Sequence, residues 1–392
     1  MAREVVIVGS ARTPIGAFQG ALASLTAPQL GAVAIKAALE RAGVKPEMVE
    51  EVLMGCVLQG GIGQAPARQA SRFAGLPDAV PCTTVNKVCG SGAKAIVQAY
   101  QSIALGEIDV AVAGGMESMS NAPYFSHSMR GGARMGNVEM KDLMIHDGLW
   151  DPYDNMHMGN CGELCAKERG ISRAQQDEYS VESTNRAIRA QKEGLFKAEI
   201  APVSVPQKKG DPVVVSEDEG PKGAKPDKIP SLKPAFQKDG TVTAGNASSI
   251  NDGAAAVVLM SADKAKALGL TPLARITGWA QAARKPVEFT IAPADAINKL
   301  LTSKKITAGD VDLWEINEAF AVVAIANNQI LKLDANKVNV RGGAVVMGHP
   351  IGASGCRLVV TLLQTMKDQD KKRGVASLCI GGGEGIALMI ER

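Results

Sequence analysis

The chain is organised around the stretch Asn86 to Ala93, which reads Asn-Lys-Val-Cys-Gly-Ser-Gly-Ala, and the run behind it. Residues 93–105 contain strong helix formers, with apolar residues recurring at helical spacing. Cys89 is therefore expected in the turn at a helix N-terminus, where unpaired N–H groups and the helix dipole favour negative charge. Such a position lowers the pKa of a thiol, and the thiolate is its nucleophilic form. The adjacent glycines allow another molecule to approach closely.

The alternative is that Cys89 is a small buried hydrophobic residue, which is the usual fate of a free cysteine. Helix termini are common, so this stretch taken alone does not separate the two interpretations. The rest of the chain has to decide between them.

Bulk composition limits the class of protein. The chain has 392 residues, enough for two or three domains, with 46% hydrophobic and 21% charged residues. A net charge of +3 with no arginine-rich patch argues against nucleic-acid binding. The sequence lacks the long apolar core of a signal peptide and any apolar run of membrane-spanning length. We therefore expect a cytoplasmic protein with no membrane partner.

Seven cysteines are scattered along the chain without a C-x-x-C pair. An odd number argues against a disulfide framework. The close pair Cys161 and Cys165 would share one helix face, but no histidine follows at zinc-ligand spacing. We expect reduced thiols and no metal.

Alternation of strands and helices predicts an α/β fold. Residues 4–8 and 109–117 read as buried strands, and residues 27–43 as a helix with Pro28 near its start and Gly43 at its end. Such alternation implies a mainly parallel sheet covered by helices. Between about residues 120 and 245 the pattern is interrupted by a segment rich in Met, Tyr, Asp and Lys, which indicates an inserted loop domain.

The pattern resumes near Leu273 in what reads as a second copy of the first half. Residues 312–317 correspond to 51–56, Ser354–Arg357 to Ser91–Lys94, and 376–384 to 111–117. We predict an N-terminal half formed by residues 1–120 plus 244–270, an inserted loop domain at 121–243, and a C-terminal half at 271–392. Corresponding loops would then share one face, with a ligand crevice outside the strand ends.

Four stretches that contain candidate catalytic residues would meet on that face: Cys89, residues 317–320, residues 348–352 and residues 379–383. A cysteine nucleophile needs a base, and His349 lies in a Gly/Pro turn ahead of a helix. Each stretch also has an ordinary interpretation. His349 could be a satisfied turn histidine, Cys379 could be core, and Asn317 could be a helix N-cap.

Taken together, these stretches resemble the signature blocks of the thiolase family, in order and over essentially the whole chain. The blocks are Ala-Arg-Thr-Pro-Ile-Gly (11–16), Val-Cys-Gly-Ser-Gly (88–92), Thr-Ala-Gly-Asn-Ala-Ser (243–248), Asn-Glu-Ala-Phe-Ala (317–321), Gly-His-Pro-Ile-Gly-Ala-Ser-Gly (348–355) and Cys-Ile-Gly-Gly-Gly (379–383). The resemblance implies a duplicated five-layered α-β-α-β-α architecture with an inserted loop domain.

The resemblance also implies a ping-pong mechanism through an acyl-cysteine. Cys89 would carry the acyl group and His349 would be its base, while Cys379 would remove the α-proton of the second acetyl-CoA. His349 and a water held by Asn317 would form one oxyanion hole, and the backbone N–H groups of Cys89 and Gly381 the other. Coenzyme A enters as substrate, with no bound cofactor. The residues implied for its pantetheine arm are Leu149, His157, Met158, Ser248, Ala319 and Phe320. Lys222 stands about where relatives carry an arginine that faces the nucleotide.

Three departures from the family pattern bear on the acyl-chain length of the substrate, because their positions are expected near the substrate pocket. They are the segment 283–293, Arg341 and Glu384. The stretch His157-Met158-Gly159 is similar to the branch that acts on acetoacetyl-CoA, so we expect acetyl transfer between CoA thioesters. The alternatives are a broader-chain degradative thiolase and a non-catalytic acyl-CoA-binding protein on the same fold. The related ketoacyl synthases are disfavoured because they do not use a second cysteine at the position of Cys379.

Thiolases are usually dimers or tetramers, so the resemblance implies a homodimer or homotetramer. The segment from Met129 to Met144 is a candidate subunit contact, and a flexible surface loop is its alternative.

Overall fold

A computed structural model describes residues 3–392. Its strands are β1 (Val5–Arg12), β2 (Gly16–Ala17), β3 (Glu51–Gly55), β4 (Cys82–Val85), β5 (Val110–Ser118), β6 (Tyr124–Phe125), β7 (Lys141–Asp142), β8 (Trp150–Asp151), β9 (Met156–His157), β10 (Val203–Val205), β11 (Val213–Val215), β12 (Asn251–Ser261), β13 (Ala274–Ala283), β14 (Leu313–Ile316), β15 (Arg373–Ile380) and β16 (Glu384–Glu391). Its α-helices are α1 (Ala27–Ala42), α2 (Pro66–Phe73), α3 (Ser91–Leu105), α4 (Met158–Arg169), α5 (Arg173–Lys192), α6 (Glu219–Gly223), α7 (Ala262–Ala267), α8 (Ala292–Lys304), α9 (Ala321–Leu331), α10 (Ala344–Met347) and α11 (Ile351–Asp368).

Shorter helices connect these elements. A π-helical segment covers Met144–Leu149. Short 3-10 helices cover Pro46–Met48, Met119–Asn121, Ser128–Gly131, Pro226–Ser231, Pro286–Ile291, Ala308–Asp310 and Ala335–Lys337.

Helix α1 begins and ends as its sequence predicts. Pro28 lies in its first turn, and Thr26 and Gln29 form a capping box. Gly43 ends the helix in the left-handed region, at φ 66°, where a side chain would be strained. The buried face includes Leu30 and Ile35 and packs on the first half of the sheet.

The central sheet repeats one pattern twice. In the N-terminal half β1 pairs antiparallel with β12, β12 antiparallel with β5, and β5 parallel with β3. In the C-terminal half β13, β16, β15 and β14 pair in the same order and with the same senses. The two halves join where Val6 and Ile7 of β1 meet Arg275 and Ala274 of β13. The predicted duplication of the fold is confirmed.

The helices form layers around this sheet. Helices α1 and α2 cover the outer face of the N-terminal half, and α8 covers that of the C-terminal half. Helices α3 and α11 pack against each other and against strands of both halves, within one apolar cluster. These two helices are the central layer, so the residues before their first turns lie close together.

Residues between β5 and β12 form the insert, with helices α4, α5 and α6 and the short strands β6–β11. Strand β12 then returns the chain to the first half of the sheet. The domain boundaries given above stay a prediction.

Within residues 3–392 all seven cysteines are free. No group of three His, Cys, Asp or Glu side chains in this range is arranged to hold a metal ion. None of the helices in the same range is long and apolar enough to span a membrane.

Candidate active site

The Cys89 turn, residues 86–90, lies between β4 and α3. Val88 adopts φ 44°, a strained value for a β-branched residue. Ser91 closes the turn because its hydroxyl accepts from the backbone N of Lys87 at 2.8 Å and donates to the Val88 carbonyl at 2.6 Å. A Cβ at Gly90 would lie 2.5 Å from Cδ1 of Ile380. Only glycine therefore lets the turn pack this closely on the end of β15.

The Cys89 thiol differs electrostatically from the prediction. The pKa of the thiol is raised to about 11, chiefly by burial and to a smaller extent by the nearby Glu117 carboxylate. Hydrogen bonds from the backbone N–H groups of Gly381 and of Cys89 itself lower the pKa, but by less than burial raises it. The expected lowering of the pKa by the helix terminus is wrong, because desolvation of a buried thiolate outweighs a few N–H donors.

His349 lies in the corresponding loop of the C-terminal half, two residues before α11 begins. Its backbone N lies 3.2 Å from Oδ1 of Asn251, and its Nδ1 lies 2.6 Å from Oγ of Ser354. Oγ of Ser354 also lies 2.9 Å from the Pro350 carbonyl, which can only accept. We assign the hydroxyl proton to that bond, so that Oγ accepts from Nδ1, the ring proton is on Nδ1 and Nε2 is a lone-pair acceptor.

Burial of His349, with a smaller contribution from the positive charge of Arg357, lowers its pKa to about 3. The imidazole is therefore neutral near pH 7. Since the Cys89 thiol is also neutral there, the site holds a neutral pair and not a preformed thiolate–imidazolium pair.

Asn317 ends β14 and is held by a backbone bond from its N to the Ser377 carbonyl at 2.9 Å. Its Nδ2 lies 3.4 Å from Nε2 of His349, while its Oδ1 is buried without a hydrogen-bond partner. Asn317 is not a helix N-cap, because α9 begins four residues later with Phe320 at the cap position.

Cys379 lies at the end of β15 and is fully buried. Burial raises its pKa well above the ordinary value, and Cys89 adds to the rise, so the two thiols are near neighbours. Cys379 packs among side chains that line the cavity described next, including Met158, Phe289 and Phe320.

One cavity of about 230 Å³ joins these groups. Cys89, His349 and Gly381 lie in its wall, with Asn317 against His349 and Cys379 packed among other side chains that line it. All six residues predicted to contact pantetheine line it: Leu149, His157, Met158, Ser248, Ala319 and Phe320. The duplicated topology thus brings together side chains far apart in sequence.

Sequence reasoning did not identify several lining residues: Met119, Gly148, Phe236, Ala247, Ser249, Ile250 and Ile351. Phe236 is the most informative of these, since its ring stacks on His157 at 4.8 Å between centroids and meets Phe320 edge-on at 6.2 Å. A lone phenylalanine in a Lys/Pro-rich loop was the available signal, because such a side chain needs an apolar partner.

The three departures have separate positions. Phe289, from the segment 283–293, lines the cavity. Arg341 is buried elsewhere and donates to the Leu195 carbonyl at 2.7 Å and to Asp368. Glu384 pairs with Lys87 beside the Cys89 turn. Neither Arg341 nor Glu384 lines the cavity, but Glu384 lies near it through Lys87, which is two residues before Cys89.

Lys222 lies exposed on α6 and does not line this cavity. A separate cavity of about 240 Å³ is lined by Lys225 and Lys228 together with apolar residues such as Ile229 and Val345, and Lys222 does not line it either. The loop therefore places two other lysines beside a concave surface.

Comparison with known proteins bears on this arrangement. Residues 5–263 match the family described as thiolase, N-terminal domain, and residues 270–392 match thiolase, C-terminal domain. The chain is 57% identical over 390 residues to an acetyl-CoA acetyltransferase of Cupriavidus necator, with 99% of each chain covered. It is 52% identical over 390 residues to an acetyl-CoA acetyltransferase of Schizosaccharomyces pombe, again with 99% of each covered. A mitochondrial acetyl-CoA acetyltransferase of Bos taurus is 52% identical over 99% of this chain and 92% of its own length.

Proposed function

The chain belongs to the thiolase family of acyltransferases, and we propose that it is an acetyl-CoA C-acetyltransferase. It condenses two acetyl-CoA molecules reversibly to acetoacetyl-CoA and CoA through an acyl-Cys89 intermediate. The observation that carries the proposal is the convergence of Cys89, His349 and Gly381 on one cavity, with Cys379 and Asn317 packed beside it. Relatives that match almost the whole chain carry the same name.

In the first half-reaction Cys89 attacks the thioester carbon of acetyl-CoA. Because thiol and imidazole are both neutral, the sulfur proton passes to Nε2 of His349 as the C–S bond forms. Negative charge then appears on the thioester oxygen, and the backbone N–H groups of Cys89 and Gly381 stabilise this charge by donating hydrogen bonds to the oxygen. The departing CoA sulfur takes the thiol proton of Cys379, so CoA leaves as a thiol and Cys379 is left as a thiolate. The acetyl group stays on Cys89, and His349 keeps the proton on Nε2.

In the second half-reaction Cys379 removes an α-proton from a second acetyl-CoA. The enolate oxygen is held by His349 and by a water bound to Asn317. The buried Oδ1 of Asn317, which lacks a protein partner, supports such a water site. The enolate carbon attacks the acetyl carbon and the bond to the Cys89 sulfur breaks. The Cys89 sulfur takes back the Nε2 proton of His349, Cys379 keeps the α-proton as its thiol, and acetoacetyl-CoA is released. Cys379 acts as the acid when the reaction runs in reverse.

A short acyl chain suits the size of the cavity. At about 230 Å³ it is smaller than typical pockets for drug-sized ligands, and Phe289, Met158 and Met119 contribute bulk to its wall. The pantetheine arm passes His157, Phe236 and Phe320, with Ser248 as a polar anchor. CoA is a substrate and not a resident cofactor, and we propose Lys222 as a peripheral contact for its nucleotide.

We propose a cytoplasmic homotetramer or homodimer. The insert exposes Tyr124, Met129, Met135 and Met140, an unusual number of large apolar side chains for a solvated loop. A second copy of the chain would cover them, and the measured mass in solution tests this.

Thiolysis of acetoacetyl-CoA, compared with that of a medium-chain 3-ketoacyl-CoA, tests the proposed function. Wild type should cleave acetoacetyl-CoA strongly and the longer substrate weakly. Cys89→Ala should lose about 10⁴-fold in kcat while remaining folded, because the covalent route is removed. Comparable cleavage of both substrates would favour the degradative branch. If folded wild type cleaves neither substrate, the proposal of an enzyme is wrong and an acyl-CoA-binding protein is favoured.

A further inference from the structure

We propose that Lys87 and Glu384 form a positioning pair, the Lys87–Glu384 latch, which holds the Gly381 N–H against the Cys89 sulfur across the two halves. Nζ of Lys87 is ion-paired with Glu384, although the residues are 297 positions apart. Lys87 lies two residues before Cys89, and Glu384 lies three after Gly381. The role in catalysis rests on the proposed function, whereas the effect on the Cys89 thiol does not.

The C-terminal side of the latch is a turn whose last residue, Gly383, is anchored because its carbonyl accepts from the backbone N of Arg284 at 2.7 Å, whereas its middle residue, Gly382, is open. Gly381–Gly383, the glycine turn, connects β15 to β16, and Gly382 and Gly383 adopt φ 90° and 91°. A Cβ at Gly382 would have no neighbour within 4 Å, so one side of the turn is open. Glu384 is the first residue after the turn, and its side chain is a tether to the other half.

The N-terminal side of the latch is strained. Val88, between Lys87 and Cys89, adopts φ 44° and lies 3.6 Å from the place of a Cβ on Gly381. Relaxation of Val88 toward an ordinary conformation would move Cys89 relative to the glycine turn. The ion pair opposes this movement because it restrains Lys87 directly. It is also partly shielded from solvent, with side chains 19% and 38% exposed.

A third charged residue, Lys94, makes the loss of Glu384 more damaging than the loss of Lys87. Lys94 lies in the first turns of α3 with its Nζ 5.5 Å from the centre of the Trp279 ring. Its pKa is lowered by burial and by the positive charge of Lys87, while Glu384 raises it. Glu384 is thus close enough to both lysines to offset their repulsion. Its removal leaves Lys87 and Lys94 to repel each other, whereas removal of Lys87 leaves Glu384 with Lys94 as a substitute partner.

The latch and a simple charge effect predict opposite results at Cys89. If Glu384 acted only through its negative charge, Glu384→Gln would lower the pKa of the thiol and speed alkylation by iodoacetamide. If Glu384 holds the Gly381 N–H in place, the variant loses a donor that lowers this pKa, and alkylation slows. Alkylation needs no acyl-CoA, so it tests the latch even if the proposed function fails.

The experiment measures kcat and KM for acetoacetyl-CoA thiolysis and the pH profile of Cys89 alkylation in four variants. Glu384→Gln should lower kcat by about 10-fold, leave KM within about twofold and slow alkylation at pH 8. Lys87→Met should show a smaller loss. The double reversal Lys87→Glu/Glu384→Lys should recover most of the loss. Arg373→Gln breaks an ion pair with Glu391 at the opposite end of the β15–β16 hairpin and is the matched control, with no expected change.

Three results would overturn the latch: faster alkylation in Glu384→Gln, an unchanged alkylation profile in that variant, or a double reversal as impaired as the worse single variant. Thermal unfolding of each variant separates these outcomes from loss of the fold.

Discussion

The turns before α3 and α11 occupy equivalent positions in the two halves, yet they are held in different ways. Each is followed by a serine at the corresponding place, Ser91 and Ser354. Ser91 bonds only to backbone atoms and closes the Cys89 turn. Ser354 bonds to the His349 ring as well as to a backbone carbonyl. The same residue in a repeated frame thus supports the backbone in one half and a side-chain proton in the other.

The N-termini of the two helices also differ in how they are held by side chains. The first turn of α11 is anchored by Glu117, whose carboxylate accepts from the backbone N of Gly352 at 2.8 Å. No side chain caps the start of α3. A base must keep one tautomer and one orientation through the cycle, and hydrogen bonds provide this. A nucleophile must stay reachable, so its turn is fixed by packing behind it while the sulfur faces the cavity.

The largest effect on kcat in this comparison should come from removing the hydrogen bond between Ser354 and His349. Ser354→Ala removes the acceptor that keeps the ring proton on Nδ1, so part of the population carries it on Nε2 and cannot accept from Cys89. We expect kcat for acetoacetyl-CoA thiolysis to fall about 100-fold with KM little changed. Stopped-flow or steady-state kinetics checks this. A kcat within threefold of wild type would show that Ser354 does not set the tautomer.

The burial of His349 also has a consequence for stability. Its folded pKa of about 3 lies below the ordinary 6.5, so the unfolded chain binds a proton that the folded chain does not. Stability from this residue is present above pH 6.5 and is lost as the pH falls toward 3. Between pH 7 and pH 5 wild type should lose about 2 kcal/mol more than His349→Gln in the free energy of unfolding.

Urea unfolding of both proteins at the two pH values measures this difference. His127→Gln, which removes an exposed histidine of the insert, is the control for losing a histidine as such. Equal pH dependence in wild type and His349→Gln would contradict a buried neutral imidazole.

The smallest effect on kcat should come from removing the corresponding serine hydroxyl, that of Ser91, in the N-terminal half. Ser91→Ala removes the hydroxyl that closes the Cys89 turn but leaves Cys89 and His349 in place. We expect a loss of about 1 kcal/mol in the free energy of unfolding and less than a threefold fall in kcat. Parallel unfolding and kinetic measurements on Ser91→Ala and Ser354→Ala test the contrast directly. Identical kinetic losses in the two variants would refute the division of roles.

The sequence alone determined the elements and the chemical candidates. Pro28 and Gly43 bounded α1 because each residue restricts or permits a particular backbone conformation locally. The run 109–117 covers all but the last residue of β5, and the run 376–384 covers the second half of β15 and the turn after it, since continuous apolar stretches favour buried strands. The internal repeat predicted that Cys89, Asn317, His349 and Cys379 would meet, because equivalent loops of a duplicated fold share one face.

Only the tertiary structure decided the charge state of the site and the limits of the cavity. A helix terminus near Cys89 is visible in the sequence, but the burial that raises the pKa of its thiol depends on tertiary packing against segments distant in the chain. Arg341 and Glu384 stand beside glycines in motifs that the sequence associates with the substrate, yet their partners, Asp368 and Lys87, lie elsewhere in the chain. Local propensity is set by neighbours in sequence, whereas burial and ion pairing depend on neighbours in space, and for this reason the sequence could name the reacting groups but not their protonation.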